Sequence, residues 1–89
     1  MVIPDGVTMI NDDVFWGCDS LTSVVVPQSV TSIAPTSFGY CRSLKTIQFG
    51  GTTAQWNSIA FGSDWNKSSG EYVIVCTDGT LTKSGEIYN

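Results

Sequence analysis

The sequence predicts a β-rich α/β solenoid built from 23-residue repeats, whose strands form a short parallel sheet on the concave face. A C-terminal cap with a short helix and a β-hairpin is expected to close the stack of repeats. Two observations predict this fold class. The chain repeats itself at a constant offset, because Pro4 falls on Pro27 and 27 minus 4 is 23. After Phe49 the repeat gives way to a short helical pattern and a hairpin signal. We therefore expect repeats over residues 1–49 and a cap over residues 50–89.

The 23-residue register keeps the apolar positions and lets the polar ones vary. Extended towards the N-terminus, this register aligns residues 1–3 with residues 24–26. It therefore predicts a partial repeat at 1–3 followed by two full repeats of 23 residues. We also expect the N-terminus to be cut from a longer array. One such unit is too thin to bury its apolar face, so neighbouring units must stack. The equivalent positions include Val7 and Val30, Thr8 and Thr31, Ile10 and Ile33, Phe15 and Phe38, Cys18 and Cys41, and Leu21 and Leu44.

One strand in each repeat builds the predicted sheet. Residues 21–26 and 44–49 are strand-like, with Leu21, Val24 and Val26 expected to face the core. The concave side of a solenoid is its usual binding face. Small residues on this side are equally typical of a surface that only contacts water. The face is also narrower than a full-sized protein interface. The candidate interaction residues that point outward on this side are Ser23, Val25, Thr46 and Gln48.

The predicted cap has three parts. A helix is expected at about 53–60, where a tryptophan and an isoleucine have the spacing of a buried stripe. A loop rich in Gly, Ser and Asn follows over 61–70. A hairpin is expected at about 72–82, because Asp78-Gly79 separates two β-rich runs. Such a cap would keep the last repeat from exposing its apolar edge to water.

Three tryptophans are candidates for stacking on sugar rings. Core packing is the better interpretation for Trp56 and Trp65. Trp16 is equivalent to Gly39 of the next repeat, so this position does not need a core side chain. We therefore expect Trp16 to lie outside the core. Trp16 is therefore the fifth candidate interaction residue, and a glycan is a further candidate partner.

Composition excludes several classes of protein. With 42% hydrophobic and 13% charged residues the chain should fold. Its formal charge of −4 would repel the phosphates of nucleic acids and anionic membranes. No apolar run approaches the roughly 18 residues that span a bilayer, and the first residues lack the pattern of a signal peptide. We expect neither a nucleic-acid partner nor membrane insertion.

No catalytic, cofactor-binding or metal-binding residue is predicted. The chain has no histidine, and its adjacent acidic pair, Asp12-Asp13, lies on a turn without a basic partner. Its three cysteines match no metal-site spacing. Cys18 and Cys41 take equivalent positions on neighbouring repeats, where parallel side chains favour free thiols and leave a disulfide as the alternative.

Two parts of the chain resemble a known family. Residues 3–10 read IPDGVTMI and residues 15–24 read FWGCDSLTSV, which closely resembles the BspA-like, treponemal-type leucine-rich repeat. The runs GTTAQWNSI over 51–59 and VCTDGTL over 75–81 resemble the segment that commonly closes arrays in that family. The sequence departs from the usual pattern in its turns, at residues 12–14 and 34–37. At these turns the family tends to have a glycine near the start and an alanine before the phenylalanine.

The resemblance implies a leucine-rich-repeat solenoid from secreted or surface-attached bacterial proteins that act in adhesion or host-protein contact, with no catalytic residue. We therefore expect a non-enzymatic protein-interaction or adhesion module, a fragment of a larger protein that is extracellular or at the cell surface. Two alternatives stay open: a structural cap that ends the array without a ligand of its own, and a glycan-binding module that uses exposed tryptophan. We also expect self-association through the open strand edge at residues 1–3.

Overall fold

The computed structural model describes residues 1–12, 14–82 and 87–88, the last two by their backbone alone. The chain is β-rich, with one short helix among the described residues. In chain order the elements are β1 Met9–Ile10, β2 Ser23–Val26, β3 Ser32–Ile33, β4 Thr46–Phe49, α1 Thr53–Asn57, β5 Ala60–Phe61, β6 Val73–Val75, β7 Thr80–Thr82 and β8 Ile87–Tyr88.

The strands form two sheets. The smaller sheet has the order β1-β3-β5 and is parallel throughout. The larger sheet has the order β2-β4-β6-β7-β8, in which β2, β4 and β6 run parallel and the last two strands add antiparallel. The predicted parallel sheet is confirmed, and a second parallel sheet accompanies it because each repeat contains two extended runs.

The backbone follows the 23-residue register of the sequence. Residues that face each other in neighbouring strands of the first two repeats are separated by 23 positions, and an isolated parallel bridge gives the same offset for the first residues of the chain. The first three residues therefore lie beside β2, and their assignment to a partial repeat stays a prediction. The pairs are Met9 with Ser32, Ser23 with Thr46, and Val2 with Val25.

Both sheets continue past residue 49, with a wider offset. Ser32 pairs with Ala60 and Thr46 with Val73, so the offset grows to 28 positions in the smaller sheet and 27 in the larger one. The extra length lies in the connection from β4 to β5, which is five residues longer than the connection from β2 to β3. This difference equals the length of α1. Residues 50–75, which we call the third unit, thus repeat the strand pattern around an inserted helix, and the division into domains at residue 49 stays a prediction.

The helix is shorter than predicted. It begins after Thr52, whose side chain accepts from the backbone N–H of Gln55 in a reciprocal capping box, and it ends at Asn57 rather than near residue 60. Ala60 and Phe61, which we predicted to lie in the helix and the loop, form β5. The reason is competition from the sheet, because the Ala60 N–H donates to Thr31 O at 3.0 Å, a contact that a continued helix would break.

The two strands of the hairpin, β6 and β7, lie within the predicted range 72–82 and pair antiparallel across Asp78-Gly79. A further strand, β8, pairs with β7 and was not predicted. The remaining cap positions, 83–86 and 89, lie outside the described residues.

The core occupies the space between the two sheets. Val24, Val26 and their partners in β4 and β6 point into it, as the alternation predicts, while Leu21 is half-buried against it. Phe38 is fully buried and stacks on Phe15, with their ring centroids 4.9 Å apart. This continuous core makes the sheets a stiff support for the residues on their outer side.

Candidate interaction surface

The larger sheet turns one side away from the core, and we call this side the outer sheet face. Strand register arranges its residues in two rows that cross β2, β4, β6 and β7. One row is Val25, Gln48, Val75 and Thr80, and the other is Ser23, Thr46, Val73 and Thr82.

The outer sheet face is uncharged and lies on a rigid layer. None of its eight side chains is ionisable, and they range from half-buried to exposed, with Val75 at 40% exposure. Directly beneath them the inward residues of the same four strands are buried to 2% exposure or less: Val24, Ile47, Ile74 and Leu81. Because β-branched side chains are stiff, a partner that docks here would order few rotamers.

The four sheet residues that the sequence singled out lie together on this face. Ser23 and Val25 point outward from β2, and Thr46 and Gln48 point outward from β4. Sequence reasoning named no residue of β6 or β7 on this face, although the hairpin position is consistent with an extension of the same sheet. The signal was present in the alternation of residues 73–75 and 80–82 around a buried centre, but their offset from β4 could not be derived without the helix insertion.

A contact between the hairpin and the helix holds the turn of the hairpin in place. The carboxylate of Asp78 accepts from the backbone N–H of Thr53 at 2.8 Å and lies 3.4 Å from the Thr53 hydroxyl. The free N–H groups of a helix start suit a carboxylate. Asp78 therefore ties the turn between β6 and β7 to α1.

Trp16 is not part of the outer sheet face. It lies in the segment between β1 and β2, and it packs on the corresponding segment of the next repeat. As predicted, it stays outside the core, with 44% of its surface exposed. A Cβ at Gly39 would overlap the Trp16 indole, so glycine at that position makes room for the ring.

The other two tryptophans belong to the aromatic interior of the third unit. Trp56 is 4% exposed, and its ring centroid lies 5.3 Å from those of Phe49 and Phe61. Trp65 stacks on Phe61 at 4.7 Å and meets Phe38 edge-on at 5.9 Å. Trp56 is therefore buried, and Trp65 is half-buried against the same rings.

The cysteines are free thiols. The Cys41 Sγ donates to Phe15 O at 2.9 Å, and burial raises the pKa of this thiol. Burial also raises the pKa of the Cys76 thiol. Both groups are therefore protonated at neutral pH and are poor nucleophiles.

Within the described part of the chain, no group of three or more His, Cys, Asp or Glu side chains has an arrangement that could hold a metal ion. No helix over the same residues has the length and apolar character needed to cross a bilayer.

Comparison with known proteins gives one match. A family model described as BspA type leucine rich repeat region (6 copies) matches residues 1–72, which include both repeats and most of the third unit. No curated protein and no solved structure matches the chain. The family match covers the strands that carry Ser23, Val25, Thr46 and Gln48, and it ends at the residue before β6.

Proposed function

Because the chain belongs to the BspA-type leucine-rich-repeat family, whose repeats typically mediate protein binding, we propose that it binds a protein partner through the outer sheet face. The family is generally non-enzymatic and its members are often secreted or at the cell surface. The partner is accordingly a host or cell-surface protein, and the role is adhesion or interaction as part of a larger bacterial protein outside the cell.

The observation that carries this proposal is the uncharged outer sheet face. Eight neutral side chains in two rows cover four strands, in a chain whose net charge is −4. Interfaces typically have few charged residues at their centre and charged residues at their rim. Val25, Val73 and Val75 supply apolar contact, while Gln48 and the threonines supply donors and acceptors.

The test measures binding of the intact chain to a panel of purified host-surface and serum proteins. A variant with Ser23, Val25, Thr46 and Gln48 all changed to glutamate should lose binding, because four carboxylates buried by the partner would be desolvated without counter-charges. The matched control adds four glutamates at exposed positions elsewhere: Asn11, Gln28, Asn57 and Ser63. Equal affinity of the two variants for a panel protein would remove this face from the function.

A structural role is the first alternative, in which the segment ends an array and has no ligand of its own. The antiparallel strands β7 and β8 support it, because they follow the last parallel strand and cover its edge. Under this alternative the wild-type chain binds no panel protein, and removal of residues 76–89 makes it aggregate.

Glycan binding through Trp16 is the second alternative. Its support is the 44% exposure of an indole that the neighbouring residues hold in place. Titration with a panel of oligosaccharides tests it, with Trp16→Ala as the variant that should lose the response. Because Trp16 lies off the outer sheet face, the glutamate variant distinguishes the two kinds of binding.

A further inference from the structure

Trp16 is one member of a short line of surface side chains. Its ring centroid lies 4.7 Å from that of Tyr40, with the planes 74° apart. The guanidinium carbon of Arg42 lies 5.4 Å from the centroid of the same Tyr40 ring. Tyr40 thus contacts both an indole and a cation. We call Trp16, Tyr40 and Arg42 the Tyr40 cluster.

Backbone hydrogen bonds hold the Tyr40 cluster in position. The Gly17 N–H donates to Gly39 O at 2.9 Å, and the Tyr40 N–H donates to Lys67 O at 2.7 Å. Three successive segments are therefore bonded side by side where the cluster lies. A ligand that binds there meets backbone segments that folding has already ordered.

The cluster carries positive charge in an acidic chain. Residues 1–41 contain no lysine or arginine, and Arg42 is the first basic residue. Lys67 is joined to Tyr40 through the backbone and is exposed. Two acids accompany this charge. Asp19 takes the position of Arg42 one repeat earlier, since 19 plus 23 is 42, and Asp64 lies in the same turn as Lys67, whose N–H donates to Asp64 O at 3.1 Å.

We propose that the Tyr40 cluster binds an anionic sugar, a uronic acid or a sulfated residue of a glycan. The C–H face of one sugar lies on the Trp16 indole, and a carboxylate or sulfate of that sugar or of the next sugar in the glycan lies against Arg42. This inference rests on the glycan-binding alternative above and adds the charge class of the ligand.

The two halves of the site recognise different parts of the ligand. The face of an aromatic ring is negative and attracts the polarised C–H groups on the apolar side of a pyranose ring. The guanidinium of arginine donates two parallel N–H bonds to a carboxylate or a sulfate. A neutral sugar satisfies only the indole, so affinity for an anionic sugar exceeds affinity for a neutral one and falls as salt is added.

The experiment titrates the intact chain by calorimetry with three probes: a chondroitin sulfate hexasaccharide, a neutral hexasaccharide of N-acetylglucosamine, and hexaglutamate. The sulfated sugar should bind most tightly. Arg42→Gln should weaken its binding about fivefold and leave the neutral sugar unchanged. Lys45→Gln removes the same charge from an exposed position outside the cluster and should change neither. Trp16→Ala should abolish binding of both sugars while the circular dichroism spectrum stays native.

The three probes and the two charge variants test separately whether the site binds a glycan, whether that glycan is anionic, and whether Arg42 contacts the anion. Equal affinity for both sugars overturns the anionic class and leaves the glycan alternative standing. Binding of neither sugar overturns both, without bearing on the outer sheet face. Hexaglutamate bound as tightly as the sulfated sugar overturns the assignment to a glycan, and equal losses in Arg42→Gln and Lys45→Gln overturn the assignment to Arg42.

Discussion

The first two repeats and the third unit build the same two sheets from different lengths of chain. Between the repeats, paired strand residues are 23 positions apart, whereas the third unit needs offsets of 27 and 28. The parallel ladders survive the change because the additional residues form α1 between β4 and β5 and leave the strand pairing intact. The register of a repeat is therefore set by its strands, and the link between the sheets can take an insertion.

The interiors differ as well. The repeats place mainly aliphatic side chains around the stacked pair Phe15 and Phe38, while the third unit fills its interior with large rings. Phe38 joins the two regions, because it stacks on Phe15 on one side and meets Trp65 on the other. The aromatic residues of the third unit are Trp56, Phe61, Trp65 and Tyr72.

The largest expected effect comes from the residue that joins the two regions. Phe38→Ala should lower the free energy of unfolding by about 3 to 5 kcal/mol, because it removes a fully buried ring that packs on both sides. Small domains have about 5 to 15 kcal/mol in total, so the variant should be close to unfolded. Thermal and urea denaturation measure it, with Phe38→Leu as the milder control. A melting temperature shifted by a degree or two would contradict the shared core.

A smaller effect is expected within the repeats, where Gly39 makes room for Trp16. Gly39→Ala should destabilise the chain by about 1 to 3 kcal/mol, because the new methyl group meets the indole in a packed site. Fluorescence quenching by iodide should show a more accessible tryptophan than in the wild type. Gly79→Ala is the control, since its added Cβ has only a contact at 3.8 Å from Thr53. Equal effects of the two substitutions would show that the indole does not need this space.

The third unit can be weakened without touching the repeats. Asp78→Ala should cost about 1 kcal/mol, because it removes the acceptor for the Thr53 N–H at the start of α1. Hydrogen exchange should quicken in α1 and β7 and stay unchanged in β2. Asp5→Ala, at an exposed turn of the first repeat, serves as the control. Uniformly faster exchange across the chain would show that the third unit does not open separately from the repeats.

The weakest expected effect concerns association of the chain with itself. Among the described residues, the exposed large apolar side chains lie within the first 16 positions, apart from Val75. The intact chain should self-associate at millimolar concentration through the open strand edge at residues 1–3, as measured by light scattering. Val2→Glu should reduce it, because it places a charge on that edge, whereas Val75→Glu should not. A wild-type chain that stays monomeric at that concentration would refute the prediction.

Much of the fold could be predicted because two local signals agree. The repeat offset of 23 and the alternation of apolar and polar residues together predicted the pairing of β2 with β4 and the outward direction of Ser23, Val25, Thr46 and Gln48. Both signals are properties of the strand backbone, whose side chains alternate with a period of two. The function of these residues is a proposal, since orientation alone does not select a ligand.

The repeat, its register and the side of each strand that faces the core all follow from periodicity along the chain, so the amino-acid sequence alone specifies them. The end of α1, the contact of Asp78 with Thr53 and the need for glycine beneath Trp16 are visible only in the folded molecule. Each of these depends on contacts between residues more than twenty positions apart that the strand period does not encode. The end of the helix was decided by a sheet partner, Thr31, that local propensity cannot include.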